Sequence, residues 1–341
     1  MPPNQRHSRA TGRTTLSDVA KAAGVSPITA SRALRGVASV APELVERVKA
    51  AADSLGYLPN PAARALASAR SNAVVIVVPS LSNAVFIDTL EAVQRALQPE
   101  GFEVLIGNTH YSRDEEERLL RNYFTQRPSG LIVTGFDRTE NARRMIETSG
   151  VPCVYMMELA NATGVHCVGF SQHDAGAIVA RHLIASGRKR IAYVAAQLDP
   201  RTLQRGEGFR QVLIEHQLHD PSLELLSPAP SSVAMGAQLF QDLLKRHSDI
   251  DAIFFGNDDL AQGGLLEAIR KKIEIPDRIA VVGFNDLPAS AEMVPRLTTI
   301  RTPRAAIGLR ASQLLLQLMQ GQAPAQPVID LGFELVVRES T

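Results

Sequence analysis

From Asn72 onward, short apolar runs alternate with amphipathic stretches almost to the C-terminus, and nothing else in the chain constrains its fold as strongly. The runs are Val74–Val78, Val104–Ile106, Leu131–Thr134, Cys153–Met156, Val165–Val168, Ile191–Ala195, Ile253–Phe255, Ala280–Gly283 and Thr298–Ile300. They are continuous and β-branched, the pattern of parallel strands covered on both faces. Helical periodicity marks the segments between them, near Phe86–Leu97, Asp114–Gln126, Glu140–Ser149, Ala175–Ser186, Gly208–Glu215, Ala234–Arg246, Leu260–Lys272 and Arg304–Met319. Such an alternation implies a doubly wound α/β body, and it is too long for one sheet.

The first seventy residues break this pattern. They carry ten Lys and Arg against four Asp and Glu, a net +6, while the whole 341-residue chain is only +1. A small basic head on a mildly acidic body points towards nucleic acid. The length suggests two or three domains, and 45% hydrophobic with 21% charged residues fits a soluble globular protein. Two cysteines, and no hydrophobic segment behind Arg6, Arg9 and Arg13, argue against a secreted disulfide scaffold and for a reducing cytoplasm. The longest apolar run, Ala73–Pro79, is far too short to cross a bilayer.

Within the head, residues 1–14 are polar and aperiodic and read as a disordered basic arm. Thr15 and Asp18 form a capping-box pair ahead of Leu16, Val19, Ala20 and Ala23 at helical spacing. Gly24 ends that helix, Val25 plugs the turn, and Ser26-Pro27 supplies an N-cap and a first-turn proline for a second helix to Leu34. Two short helices around a glycine turn are a helix-turn-helix. Ala30, Ala33 and Leu34 face its core, leaving Pro27, Ile28, Thr29, Ser31 and Arg32 outward. Ser26, Thr29 and Ser31 suit phosphates, Ile28 suits a thymine methyl, and Arg32 suits guanine or phosphate. A third helix, about Pro42 to Leu55, buries Leu44, Val45, Val48, Ala51, Ala52 and Leu55.

After this head, Ala62–Ser68 reads as a helix too short to stand alone in water. The run Thr15–Arg70 resembles the DNA-binding segment of the LacI/GalR family of bacterial repressors. Its motifs are Leu16-Ser17-Asp18-Val19-Ala20, Gly24-Val25-Ser26, Ser31-Arg32-Ala33-Leu34, Gly56-Tyr57-Leu58-Pro59-Asn60 and Ala65-Leu66-Ala67. The resemblance implies a helix-turn-helix domain at 15–58 and a hinge helix at 59–70 that folds on DNA. It implies contacts from Asn60 and a minor-groove wedge at Leu66. It continues through the body in Gly187-Arg188-Lys189-Arg190-Ile191-Ala192, Gly256-Asn257-Asp258-Asp259-Leu260-Ala261, Val281-Val282-Gly283-Phe284-Asn285-Asp286 and Pro295-Arg296-Leu297-Thr298-Thr299-Ile300. The implied body, 71–341, resembles periplasmic sugar-binding proteins. One subdomain takes about 71–168 and 302–329, the other about 169–301 and 330–341, with a small-molecule cleft between them.

No Gly-rich nucleotide loop, nucleophile elbow or metal spacing is present, so neither an enzyme nor a metal or cofactor site is expected. Cys153 and Cys167 read as core residues, Glu115-Glu116-Glu117 as a solvated helix face, and Asp258-Asp259 as cap and dipole partners. Pro79-Ser80-Leu81-Ser82-Asn83 with Phe86, and Asp199-Pro200-Arg201-Thr202, resemble the gluconate-utilisation repressors within the family. A sugar acid needs one cation and several hydroxyl partners. Arg205 matches the family's ligand-binding arginine, and Arg201, placed in the same loop, is a second candidate. Ser80, Ser82, Asn83, Asn257 and Asn285 supply neutral donors and acceptors, Phe86 and Phe170 walls, and Glu158 is a further candidate. Asn285 stands where many relatives that bind neutral sugars have Asp, which removes repulsion against an anion.

The expectation is therefore a cytoplasmic homodimeric repressor of sugar-acid catabolism genes on a near-palindromic operator, released by gluconate, 6-phosphogluconate or 2-ketogluconate. The dimer is expected because no extra leucine-rich helix follows the body. A regulator of the same family answering 2-ketogluconate or another sugar is the alternative, and a sugar-binding protein or an enzyme is the more distant one.

Overall fold

In the computed structural model, residues 14–34, 36, 39–58 and 71–341 are described. They divide into two units, one up to Ser71 and one from Asn72 to Thr341.

The head is three helices, α1 (Leu16–Ala22), α2 (Pro27–Leu34) and α3 (Pro42–Ser54). Both halves of the Thr15–Asp18 capping box form, with the Thr15 amide donating to Asp18 Oδ2 at 2.9 Å. Such a cap is worth about 1 kcal/mol to a helix of two turns. Gly24 takes φ +63°, a left-handed turn that favours glycine, and the Val25 amide closes it on the Ala20 carbonyl at 3.0 Å. Val19, Ala20, Ala23, Ala30, Ala33, Val48 and Ala52 form the buried centre, with Val25, Leu34, Val45 and Tyr57 packed around it. Leu44 is only half-buried, and Leu55, expected inside, is 39% exposed because the helix ends before it.

The body contains two six-stranded sheets, ordered β11-β5-β4-β3-β1-β2 and β12-β10-β9-β8-β6-β7. The first holds β1 (Ala73–Val78), β2 (Glu103–Asn108), β3 (Gly130–Thr134), β4 (Cys153–Met156), β5 (Cys167–Gly169) and β11 (Val328–Asp330). The second holds β6 (Ile191–Ala196), β7 (Glu224–Ser227), β8 (Ala252–Phe255), β9 (Ala280–Asn285), β10 (Thr298–Arg301) and β12 (Glu334–Val336). The chain thus passes between sheets after β5, after β10 and after β11. Every residue of β1 is buried, and each valine or isoleucine there contributes about 1.5–3 kcal/mol. All pairings are parallel except β10 with β12.

The helices are α4 (Ile87–Leu97), α5 (Arg113–Thr125), α6 (Glu140–Thr148), α7 (Gln172–Ala185), α8 (Pro200–Glu215), α9 (Val233–Arg246), α10 (Asp258–Lys271) and α11 (Arg304–Met319). α11 returns to the first sheet and lies on α4, where Gly308 lacks the Cβ that would sit 2.4 Å from the Thr89 carbonyl oxygen.

Three short strands, β7, β11 and β12, escape the sequence pattern because each has only three or four residues and none is fully buried. Two helices begin earlier than their apolar periodicity suggests. Ser171 caps α7 through the Asp174 amide at 3.1 Å, and Asp199 caps α8 through the Arg201 and Thr202 amides. Arg201 and Arg205 therefore stand on the first turns of a helix, not in a loop.

Candidate functional site

In the head, α2 buries Ala30 and Ala33 and exposes Ser26, Pro27, Ile28 and Arg32, with Thr29 and Ser31 half-buried. Ile28 is 67% exposed, a large apolar side chain on an otherwise polar face. Ser26 Oγ accepts from the Thr29 amide at 3.1 Å and lies 2.9 Å from Thr29 Oγ1. No acidic residue sits in the first turn of α2, so its N-terminal partial positive charge is uncancelled. This face can meet phosphates at its start and base edges along one side. Asn60 and Leu66 lie outside the described residues.

In the body, the C-terminal ends of the parallel strands of both sheets bring charged side chains into one cleft. This is where open α/β sheets take ligands. Pro79, Thr109, Tyr111, Arg113, Thr134 and Asp137 line its first-sheet wall, and Asp199, Pro200 and Arg201 its second.

The two arginines differ. Arg201 Nη1 donates to Glu158 Oε1 at 3.2 Å, and its Nε lies 3.4 Å from Asp199 Oδ1. Burial weakens this guanidinium's hold on its proton, but Asp199 and Glu158 together raise its pKa. Burial raises the Glu158 carboxyl above its ordinary value, with Arg201 pulling the other way. Arg205 Nε donates to Gln172 Oε1 at 2.8 Å and Nη1 to the Gly256 carbonyl at 2.5 Å, with the guanidinium 3.9 Å over the Phe284 ring. Among the described residues no carboxylate lies within 4.0 Å of it. Burial holds its pKa below the usual guanidinium range. A buried guanidinium held by neutral groups keeps its full capacity for a charge-assisted bond.

The neutral candidates fall into distinct roles. Ser80, nearly buried, accepts from the Ser82 and Asn83 amides, and Ser82 is exposed with its hydroxyl 3.1 Å away. Asn83 caps Val85 and donates to the Tyr111 hydroxyl at 3.2 Å. Asn257 caps α10 and exchanges hydrogen bonds with Ser231, so its carboxamide is engaged. Asn285 is buried with φ +116°, and its carboxamide makes no hydrogen bond among the described residues. Phe86 is buried in the core. Phe170 stacks behind Phe284 at 6.4 Å, so the aromatic that meets Arg205 is Phe284 rather than Phe170.

Sequence reasoning missed Tyr111, Gln172, Ser231 and Phe284. Tyr111 follows β2 at φ +59°, and burial raises its hydroxyl pKa beside Asn83. Position just past a strand end was its only sequence signal. Two polar expectations need correction. Glu116 is not on a solvated face: it is 6% exposed and pairs at 2.9 Å with the buried Arg138. Asp258 stands in the first turn of α10 but is not its cap, which is Asn257; it is fully buried and accepts from the Leu287 amide, Ser290 and Thr299 at 2.7, 2.8 and 2.6 Å. Cys167 is buried and Cys153 partly so, with burial pushing the Cys153 thiol up to about 12. Among the described residues no cluster of three potential metal ligands occurs, and no helix is long and apolar enough to cross a membrane.

A helix-turn-helix head and a two-sheet α/β body with a charged cleft at its strand ends define a ligand-responsive DNA-binding regulator. Comparison with known proteins agrees. The profile of bacterial regulatory proteins of the lacI family matches residues 15–60, and that of the periplasmic binding protein-like domain matches 180–341. The HTH-type transcriptional regulator GntR of Pseudomonas aeruginosa is 60% identical over 338 residues, covering 99% of this chain and 98% of that protein. The crystal structure of transcription regulator GntR from Chromobacterium violaceum superposes with a TM-score of 0.77 at 44% identity, over 79% of this chain and 98% of that one. The Lac repressor dimer bound to operator and the anti-inducer ONPF gives 0.83 at 27% identity, over 96% and 99%. The chain belongs to the LacI family. It is a helix-turn-helix transcriptional regulator, and its homologues are regulators rather than enzymes.

Proposed function

We propose that this regulator is a cytoplasmic repressor of sugar-acid catabolism genes that gluconate, or a closely related acid, releases from its operator. Buried Arg205, held by neutral groups with no carboxylate within 4.0 Å among the described residues, carries this reading. A monocarboxylate sugar acid supplies the missing anion, and its hydroxyls suit Asn285 and the Ser80–Asn83 turn. The resemblance to gluconate-utilisation repressors, and the GntR name borne by relatives at 60% and 44% identity, support the same effector. On the DNA side, Ser26, Pro27, Ile28, Thr29, Ser31 and Arg32 face a near-palindromic operator as part of a homodimer, with Asn60 and Leu66 in the hinge. The Lac repressor dimer on its operator is the precedent for that arrangement. Residues 15–58 then read DNA, 59–70 connect, and 71–341 sense and dimerise. The mechanism is a coupling free energy: the acid favours a body conformation in which the heads no longer fit the operator.

Calorimetric titration of the full chain with gluconate, 6-phosphogluconate, 2-ketogluconate and glucose tests the effector. Fluorescence anisotropy on operator DNA tests release. Saturable binding of at least one of the acids with loss of operator affinity is expected. Binding of glucose alone, or of none, would remove the sugar-acid assignment.

A further inference from the structure

Two consecutive non-glycine residues at the end of β9, Asn285 and Asp286, have left-handed backbones at φ +116° and +51°. Such conformations persist only where their surroundings hold them. From the second sheet's side the turn is pinned by Asp286, whose carboxylate pairs with Arg301 at 2.8 Å and Arg338 at 2.7 Å. The Leu287 amide is fixed on buried Asp258.

The turn's carbonyls point to a different element. Arg304, the first residue of α11, donates from Nη1 to the Asn285 carbonyl and from Nη2 to the Asp286 carbonyl at 3.4 Å. The same guanidinium pairs through Nε with Asp88 on α4 at 2.9 Å, and its side chain is only 10% exposed. Its own carbonyl accepts from Thr89 on α4 at 3.1 Å. One side chain thus joins the α4–α11 helix pair on the first sheet to the turn of the second sheet that carries an effector candidate. A relative movement of the two sheets must stretch these bonds.

We infer that Arg304 clamps the Asn285–Asp286 turn to the α4–α11 pair and is the positioning residue through which occupation of the cleft reaches the first subdomain. The clamp stands on the contacts alone; the coupling role rests on the effector reading above. Arg304 is assigned no contact with the effector, so its loss should leave effector affinity nearly intact while uncoupling that affinity from DNA. A purely structural arginine would instead change stability and both affinities together.

The test uses the full chain with Arg304→Gln and, should that variant fail to fold, Asp88→Asn, which frees the guanidinium from α4 alone. In ligand-free protein, amide exchange at residues 285–287 should quicken about tenfold in Arg304→Gln, with the most protected amides unchanged. The ratio of operator Kd with and without saturating gluconate, commonly about 5–150-fold in such systems, should fall at least about fivefold, with gluconate Kd within about threefold of wild type. Asp88→Asn should move both readouts in the same direction. Unaltered exchange at 285–287 would overturn the clamp, and an unaltered ratio would overturn the coupling role. If wild type does not answer gluconate, the effector reading falls, while the exchange measurement still decides the clamp.

Discussion

Glu158 and Arg201 face each other at 3.2 Å across the cleft, joining the loop after β4 to the first turn of α8. Gly135 makes the meeting possible: at φ +61° it has no Cβ, and one there would sit 2.4 Å from Glu158 Oε1 and 2.8 Å from Arg201 Nη1. The pair neutralises Arg201 from within the protein, whereas among the described residues no carboxylate lies within 4.0 Å of Arg205.

Effector affinity should therefore depend on Arg205 far more than on the pair. In calorimetric titrations with gluconate, Arg205→Gln is expected to lose about 2–5 kcal/mol, thirtyfold or more, by leaving the carboxylate without its charged partner. The charge-neutral double change Glu158→Gln with Arg201→Gln removes a pair already satisfied within the protein and should cost much less. Equal losses in the two proteins would move the effector carboxylate to Arg201.

Asn285→Asp should separate acids from neutral sugars. It restores a carboxylate at a buried cleft position whose carboxamide has no partner among the described residues. Like charge facing an anion in a partly closed site costs on the order of 1–3 kcal/mol. Gluconate affinity should fall about tenfold or more while glucose affinity stays level or rises, read by the same titrations.

On the DNA side, Arg32→Ala should weaken operator binding by about 1–3 kcal/mol if the guanidinium reads a guanine. Random DNA would then lose much less. If Arg32 meets only phosphate, both DNAs weaken alike and the salt dependence flattens by about one counterion. Anisotropy at several salt concentrations distinguishes the cases, and unchanged operator affinity would remove α2 from the interface.

The Glu116–Arg138 pair gives a pH-dependent prediction. Burial holds the Glu116 carboxyl above its ordinary value, although the Arg138 guanidinium pulls it down. A carboxyl raised in the folded state binds more protons there than in the unfolded chain, so its contribution is present at low pH and lost as pH rises through the folded pKa. Arg138→Gln removes the counter-charge and should cost about 3–5 kcal/mol at pH 8. The loss should be smaller at pH 5, because burial favours the neutral carboxyl and a Glu116 without its counter-charge takes up a proton more readily as pH falls, and adding Glu116→Gln should abolish the difference. Urea unfolding at the two pH values measures it.

The two-part organisation and the fold class were legible along the chain. Capping pairs, glycine turns and runs of buried β-branched residues act over a few neighbours, and those local rules carried Thr15–Asp18, Gly24 and β1 correctly. The sequence also singled out Asn285, a polar residue just past a strand end, and Arg205 through the family resemblance, with Arg201 and Glu158 as further candidates. Which of them are free could not be read there. Glu158 silences Arg201 from 43 residues away, Gly256 and Gln172 hold Arg205 without neutralising it, and Arg304 reaches the Asn285 turn from the other sheet. Glu116 was misplaced on a solvated face, and the burial of Asp258 was missed, for the same reason: their partners, Arg138, Ser290 and Thr299, lie 22 to 41 residues away. Whether a charge is spent or available is a property of distances across the fold. Folding settles that, because it sets those distances and removes the water that would otherwise screen them.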